Sequence, residues 1–275
     1  RELGMPVPDQ RVVSDPCESA EVDLGWPVVL KPSRSVSETR HGLRKQPVRY
    51  ASSPEELTAR LEAVGPEAYP VLLQRRIVGP GTGLFLLRWD GETWAVFAHR
   101  RLREKPPSGG VSVYREAVPA EPDLVRWSER LLDRVGWRGV GMVEFKRERS
   151  TGTPYLMEVN ARLWGSLQLA VDAGVDFPRL LVEAALGEAS EPVRDYREGV
   201  RSRWWWGDVD HLIARLRGDR PPDERGADRL RAIAEFALSW RPGDRLEVLR
   251  WDDPRPFARE TASWLAALSG LREKP

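Results

Sequence analysis

Cysteine is almost absent from this chain of 275 residues, since Cys17 is the single example. One cysteine excludes an internal disulfide framework and is typical of a protein from a reducing compartment, so we expect a cytoplasmic location. Long apolar runs are missing too, because none reaches the roughly 18 residues that a membrane-spanning helix needs. We therefore expect no membrane partner. Internal repeats and low-complexity tracts are also missing.

The chain also lacks an excess of charge of either sign, since it contains 43 Lys and Arg residues and 42 Asp and Glu residues, which gives a net charge of +1. This balance gives no reason to expect nucleic acid as a partner. With 41% hydrophobic and 31% charged residues, the composition is that of a globular protein. The length allows one large domain, or two lobes plus an extension.

The apolar periodicity predicts an α+β fold. Strands are predicted at 26–32 and 69–78, in a hairpin over 84–102 that turns at Asp90-Gly91, and in a second hairpin over 139–163. Helices are predicted at 52–65 with Ser53 as N-cap, at 122–137, and at 168–187 with an interruption near Gly174–Pro178. The polar stretches 33–49 and 103–113 are predicted as loops.

The second predicted hairpin carries an unusual polar row. In MEVNARLWGS, residues 157–166, an acid, an amide and a guanidinium alternate as Glu158, Asn160 and Arg162. If the hairpin turns about Thr151, Glu144 lies opposite Glu158, and directly opposed side chains have Cβ atoms roughly 4.5–5.5 Å apart. Two carboxylates this close repel one another, so they need a neutralising partner.

A divalent cation is one such partner, because Mg²⁺ prefers oxygen ligands and is typically held by one or two carboxylates plus substrate phosphates. Asn160 offers a neutral oxygen on the same face, and Arg162 offers a donor fork for phosphate oxygens. The residues alone leave an alternative open. Glu144 and Glu158 could form ion pairs with Arg162, Arg147 or Lys146 on a solvated face.

The order of these features resembles the ATP-grasp superfamily, over about residues 1–190. The chain looks most similar to the carbamoyl-phosphate-synthase-like members, which include carboxylate–amine ligases. In this resemblance Lys31 of PVVLKP matches the phosphate-binding lysine, and Glu144, Glu158 and Asn160 match the metal ligands, with Arg162 completing the Glu-x-Asn-x-Arg signature. The adenine-binding hinge matches Gln74, Arg75, Arg76 and Ile77.

Three positions depart from the family pattern. The flap loop, SRSVSETRHGLRK, has one glycine, Gly42, where a glycine-rich loop is typical. Gly81 stands where members often carry an acid that binds ribose, so how ribose is bound is open. Met142 stands where an arginine often precedes the first metal ligand.

The transferred phosphoryl group therefore needs cationic groups from elsewhere. The candidates in AHRRLREKPPSGG are His99, Arg100, Arg101, Arg103 and Lys105. Alternation predicts that His99, Arg101 and Arg103 share a face, with Arg100 on the other. We expect Arg101, Arg103 and Arg162 to act in catalysis. A solvated, arginine-rich strand end is the alternative. Ser108-Gly109-Gly110 could bind phosphate or substrate through backbone N–H groups or could form a turn.

The resemblance implies an ATP-grasp fold of two α+β lobes that clamp a nucleotide, with a mainly helical C-terminal extension. The expected boundaries are 1–190 for the ATP-grasp domain (17–75 flap lobe, 76–190 nucleotide and metal lobe) and 195–275 for the extension. The upstream domain usual in the family is expected to be missing, so the chain could be a fragment. In the extension, Trp204-Trp205-Trp206 is expected to pack rather than to stack on a ligand.

The implied function is an ATP-dependent ligase that joins a small-molecule carboxylate to an amine through an acyl phosphate. ATP and Mg²⁺ (or Mn²⁺) are the expected cofactors. A nucleotide-binding module without catalysis and a small-molecule kinase are the alternatives. The sequence identifies neither the carboxylate nor the amine, and it gives no oligomeric state.

Overall fold

The protein is described from a computed structural model, which covers residues 2–21, 23–39, 42–188, 191–219 and 229–269. The chain divides into two compact units. The first contains Met5–Gly79 and Arg147–Met157, and the second contains Glu2–Gly4, Pro80–Lys146 and the residues from Glu158 onward. Within the described residues, no helix is both long and apolar enough to cross a membrane.

The first unit is built on a four-stranded antiparallel sheet with strand order β1-β6-β2-β5. Its strands are β1 (Gln10–Val13), β2 (Val28–Pro32), β5 (Arg49–Ala51) and β6 (Val71–Arg75), and a separate ribbon pairs β3 (Val36–Thr39) with β4 (Gly42–Lys45). Helix α1 (Pro54–Glu62) buries Leu57 and Leu61 against β2 and β6 residues that include Val28, Leu30 and Leu73. Two short 3-10 helices lie at Pro16–Glu21 and Pro66–Ala68.

Two expectations for this unit are tested directly. The N-cap at Ser53 is confirmed, because its side chain accepts a hydrogen bond from the N–H of Glu56. The prediction of a loop over 33–49 is wrong, since the β3–β4 ribbon pairs Val36 with Lys45 and Thr39 with Gly42. The ribbon has little apolar alternation, and local backbone pairing, not burial, defines it. Residues 40 and 41, which connect its strands, lie outside the described residues.

The second unit is built on a seven-stranded sheet with strand order β11-β10-β7-β8-β9-β12-β13. The strands are β7 (Gly81–Trp89), β8 (Glu92–Lys105), β9 (Val111–Ala117), β10 (Gly139–Arg147), β11 (Pro154–Asn160), β12 (Arg201–Arg203) and β13 (Arg245–Leu246). Both predicted hairpins are confirmed. Asp90 and Gly91 have φ values of 49° and 82°, as a type I′ turn requires. The predicted loop over 103–113 is wrong in extent, because β8 and β9 leave only residues 106–110 outside the strands.

The helices of the second unit are α2 (Pro122–Arg134), α3 (Leu167–Ala173), α4 (Phe177–Leu186), α5 (Trp205–Leu216), α6 (Arg229–Leu238) and α7 (Arg255–Leu268). The predicted interruption between α3 and α4 is confirmed, and Gly174 ends α3 with a φ of 115°. A hydrophobic core joins both helices to the sheet through aromatic residues that include Phe85, Phe97, Trp164 and Phe177.

The C-terminal residues are mainly helical, as expected, but β12 and β13 also extend the main sheet. Packing is the observed role of the tryptophan cluster. Trp205 lies against Phe236, and Trp206 stacks on Trp264 with ring centroids 4.1 Å apart. Trp204 donates through Nε1 to Glu260. The α+β fold class is confirmed, whereas the domain boundaries expected from the sequence stay a prediction.

Candidate functional site

Glu144 lies at the end of an apolar row on β10. Val140 and Met142, on the same face by strand alternation, are buried in the core around α3 and α4. Glu144 pairs directly with Gly83 on β7, and Gly83 pairs with His99 on β8. A carboxylate therefore follows the core residues at the point where the covered face of the sheet opens.

The other predicted metal ligands lie beside Glu144. Asn160 Nδ2 is 2.5 Å from Glu158 Oε1 and 3.5 Å from Glu144 Oε1, and Arg162 Nη2 is 3.4 Å from Asn160 Oδ1. Burial raises the pKa of Glu144; the charge of Glu158 acts in the same direction, and Arg101 opposes it. The structure thus brings all four residues of the predicted row together. The direct pairing of Glu144 with Glu158 stays a prediction.

This donor set fits a hard divalent cation. Rotating the Asn160 amide by 180° exchanges Nδ2 for Oδ1 and brings a neutral oxygen to both carboxylates. Two carboxylates with an amide oxygen match the ligands that Mg²⁺ takes when substrate phosphates complete its shell. In the described part of the chain, no group of three or more His, Cys, Asp or Glu side chains is arranged to hold a metal ion.

Arg101 forms the ion pair that partly neutralises this site. Its guanidinium contacts Glu144 through Nη2, and its Nη1 lies 2.9 Å from Glu104 Oε1. Gly81 makes room for it, because a Cβ at that position would lie 3.0 Å from Arg101 Cδ. Gly81 is the position where the resemblance leads one to expect a ribose-binding acid, and its lack of a side chain is explained here by the arginine stem that crosses it.

His99 is enclosed beside the same row. Its side chain is 1% exposed, and neither ring nitrogen has a hydrogen-bond partner among the described residues. Gly83 makes this position possible, because a Cβ there would lie 2.9 Å from His99 Nε2. Burial lowers the pKa of His99 well below its usual value, and Arg101 and Arg115 act in the same direction. The ring is therefore neutral at physiological pH.

Arg103 does not share the face of Arg101, so that prediction is wrong. The β8–β9 register shifts on both sides of Arg103, which pairs with Tyr114, whereas Arg101 pairs with Arg115. Such bulges turn the next side chain to the other face. Arg103 there forms an ion pair with Asp208 at 2.8 Å and lies over the ring of Tyr114. Its contacts give no support to a catalytic role.

The neighbouring candidates are also engaged elsewhere. Arg100 is exposed and pairs with Glu116, and Lys105 pairs with Asp210. In Ser108-Gly109-Gly110, the N–H of Gly109 donates to the carbonyl of Pro106. This hydrogen bond favours the turn interpretation of that segment.

In the first unit, Lys31 and Gln74 lie together on neighbouring strands. Lys31 Nζ donates to Gln74 Oε1 at 2.8 Å, and Gln74 Nε2 donates to Gln10 Oε1 at 3.0 Å. Gln74 is 2% exposed. The predicted phosphate-binding lysine is thus oriented by the buried first residue of the predicted hinge.

The rest of the predicted hinge follows directly. The N–H groups of Arg75 and Arg76 already donate to the carbonyls of Asp9 and Pro27. The Arg75 side chain pairs with Glu148 at 2.5 Å. A purine edge at this hinge would therefore meet the N–H of the buried Ile77 and the hinge carbonyls rather than the two arginine N–H groups.

Three polar residues beside the site were missed by sequence reasoning, namely Glu104, Arg115 and Glu247. The sequence did contain a sign that Arg115 is buried, because Arg115 lies between Val113 and Ala117 on the buried face of an alternating strand. Glu247 had none, since its ion pair with Arg115 joins residues far apart in sequence.

Comparison with known proteins gives one family match. The profile of the family described as "ATP-grasp in the biosynthetic pathway with Ter operon" matches residues 68–207, slightly more than half of the chain. No curated protein sequence matches the chain.

Several solved structures are similar in fold. The ADP complex of PurK, an N5-carboxyaminoimidazole ribonucleotide synthetase, is 18% identical with a TM-score of 0.59, covering 79% of this chain and 58% of that one. An L-amino acid ligase from Bacillus licheniformis is 18% identical with a TM-score of 0.54, covering 73% and 49%. The biotin carboxylase domain of a Hydrogenobacter thermophilus 2-oxoglutarate carboxylase, with MgADP, ADP and bicarbonate, is 19% identical with a TM-score of 0.56, covering 73% and 46%. The chain thus spans about half the length of these proteins, and the predicted fold is confirmed.

Proposed function

Because this chain belongs to the ATP-grasp family, we propose that it is an ATP- and Mg²⁺-dependent ligase that joins a small-molecule carboxylate to an amine through an acyl phosphate. The observation that carries the proposal is the convergence of Glu144, Glu158 and Asn160 beside Arg162 and Arg101. Carboxylates and an amide for a cation, with guanidinium groups for phosphate oxygens, are the groups that phosphoryl transfer needs.

The proposed reaction has two steps. An oxygen of the substrate carboxylate attacks the γ-phosphorus of ATP, the bond to the β-γ bridging oxygen breaks, and ADP leaves. The amine nitrogen then attacks the acyl carbon, the C–N bond forms, the bond from that carbon to the phosphate oxygen breaks, and inorganic phosphate leaves with the proton that the nitrogen loses. An amine that arrives neutral needs no general base for this attack.

In this proposal the acidic residues bind the metal ion and the basic residues bind phosphate. Glu144, Glu158 and Asn160 would hold Mg²⁺, or Mn²⁺, which when bound shields the β- and γ-phosphate oxygens. Lys31 and Arg162 would neutralise further phosphate charge, and the backbone of the hinge at 74–77 would bind adenine. Arg101 stands in for the arginine that Met142 replaces, since it reaches Glu144 from the neighbouring part of the sheet. A cytoplasmic location suits the single cysteine, Cys17.

Trapping of the acyl phosphate tests this proposal. The chain is incubated with Mg·ATP, pools of carboxylic acids and hydroxylamine, and both hydroxamate and ADP are measured. We expect both products, and we expect Glu158→Gln to lower them at least about tenfold. The matched control is Glu92→Gln, an exposed acid at the start of β8, which should change neither.

The outcome separates the alternatives. A nucleotide-binding module is favoured by the burial of Met142 in the apolar core, where the family often has an arginine. It predicts Mg·ATP binding with neither ADP nor hydroxamate. A small-molecule kinase predicts ADP with a stable phosphorylated product and no hydroxamate. Either result contradicts the ligase proposal.

A further inference from the structure

A concave region lies on the same face of the seven-stranded sheet as the carboxylates. Arg115 on β9 directly opposes Arg101 on β8, so the two side chains share a face, and Arg101 contacts Glu144. Beside Arg115 is a cavity of about 570 Å³ within the second unit. Such a volume is typical of a small-molecule site.

Most of the cavity wall is apolar. Leu167 and Val171 of α3 contribute to it, with Pro178 of α4 and Trp204 at the start of α5. The Trp204 ring is held in place, because its Nε1 donates to Glu260. The wall thus offers an apolar surface to a ligand of limited size.

Two opposite charges interrupt this wall. Arg115 is 1% exposed, and its guanidinium forms an ion pair with Glu247, whose side chain is 12% exposed. Arg115 Nη1 also donates to the carbonyl of Ser112 at 2.5 Å. Burial raises the pKa of Glu247; Arg115 and Arg250 oppose this change, and Glu260 adds to it. One cation and one anion therefore meet at an apolar cavity.

The charges select among ligand classes. Arg115 and Glu247 already form an ion pair, so a simple carboxylate that takes the place of Glu247 on Arg115 displaces that acid, and a simple amine that takes the place of Arg115 on Glu247 displaces the guanidinium. Either leaves one buried charge without its partner, which is unfavourable. A zwitterion supplies a carboxylate for Arg115 and an ammonium for Glu247, so both charges stay paired.

We infer that this cavity binds an α-amino acid with an apolar side chain, held as a zwitterion between Arg115 and Glu247 against the wall formed by α3 and α4. Its assignment as one of the two ligase substrates rests on the proposed function. The binding itself does not, because every residue used lies outside the predicted nucleotide and metal site.

Calorimetry without nucleotide tests the binding. L-leucine, L-methionine and L-phenylalanine are titrated into the full chain. Each is compared with the analogue that lacks its amine and the analogue that lacks its carboxylate, which for leucine are 4-methylpentanoate and 3-methylbutylamine. We expect at least one amino acid to bind, with its truncated analogues at least about tenfold weaker, since a charge-assisted hydrogen bond accounts for roughly that factor. The inference is overturned if none of the three amino acids binds, or if the analogues bind as tightly as the amino acid does.

A pair of variants locates the site. Val171→Phe fills the cavity from α3 and should abolish amino-acid binding, while Val182→Phe, at an exposed position of α4, should leave it unchanged. Circular dichroism is used to check that both variants fold. Glu247→Gln should weaken the amino acid but not 4-methylpentanoate. Equal binding by the two valine variants would place the ligand elsewhere and contradict the inference.

The same titrations with Glu158→Gln separate this inference from the proposed function. We expect this variant to lose Mg·ATP binding and to keep amino-acid binding. If wild-type protein binds Mg·ATP but no amino acid, the cavity inference fails and the ligase proposal stands. If it binds the amino acid but never Mg·ATP, the ligase proposal fails and the cavity inference stands.

Discussion

Arg101 and Arg115 lie directly opposite one another on neighbouring strands, an arrangement that is unfavourable unless anions compensate it. Glu144 and Glu104 pair with the first arginine, and Glu247 pairs with the second. At the scale of single residues, the site is therefore a balanced set of charges rather than a run of arginines. Removing one member leaves a buried charge unpaired.

Asp208 provides the clearest test of such a balance. Its side chain is fully buried, and it pairs with both Arg103 and Arg203. Asp208→Asn should lower the free energy of unfolding by about 3–5 kcal/mol, the usual effect of breaking a buried ion pair. Urea denaturation measures it, with the exposed Asp219→Asn as control, expected within about 0.5 kcal/mol of wild type. A loss no larger than that of the control would contradict the assignment.

The lowered pKa of the buried His99 ring predicts that the stability of the fold depends on pH. Its folded-state pKa lies well below the ordinary value, so below about pH 6.5 only the unfolded chain takes up the proton. The stability that neutral, buried His99 contributes is therefore fully present above that pH. As the pH falls below it, the free energy of unfolding decreases by at most about 1.4 kcal/mol per pH unit.

The variant His99→Leu should therefore show a shallower decline in the free energy of unfolding between about pH 6.5 and pH 5 than wild type does. Groups such as Glu144, whose pKa shifts upward, titrate in both proteins and largely cancel in the comparison. Parallel pH profiles would show that His99 is protonated in the folded protein.

At the scale of elements, α1 shows how a local signal determines a structure. Ser53 accepts from the N–H of Glu56, and Pro54 occupies the first turn. Ser53→Ala should lower the free energy of unfolding of the first unit by about 1 kcal/mol, because one helix N–H loses its acceptor. Urea denaturation should show no comparable change for the adjacent exposed Ser52→Ala; equal effects would reject the cap.

Local signals explain which elements were predictable. The cap of α1, the Asp90-Gly91 turn and the helix end at Gly174 are determined by residues within a few positions of each other, and all three were predicted. The bulges around Arg103 and the β3–β4 ribbon were not, because strand register depends on a partner strand rather than on the residue itself. At the site, strand alternation together with the family resemblance was enough to predict Glu144, Glu158 and Asn160. Glu247 could be identified only in the folded chain, because its partner Arg115 is far away in sequence.

At the scale of the whole molecule, the C-terminal residues are part of the second unit's architecture. β12 and β13 extend the main sheet, and Glu247 and Asp208 neutralise arginines of β8 and β9. An extension that merely followed the nucleotide-binding part would not supply such partners. The unit that includes the candidate metal site therefore depends on residues after 195 for its charge balance.

Thermal unfolding with and without Mg·ATP tests the central claim most directly, on wild type, Glu158→Gln and the control Glu92→Gln. At a hundred times its dissociation constant, a ligand that binds only the folded state adds about 2.7 kcal/mol to the free energy of unfolding, which raises the melting temperature by roughly 5 °C for a chain of this size. We expect this shift in wild type and in Glu92→Gln, and its loss in Glu158→Gln. An equal shift in all three would contradict a metal and phosphate site at Glu158, and no shift in wild type would contradict nucleotide binding by this chain.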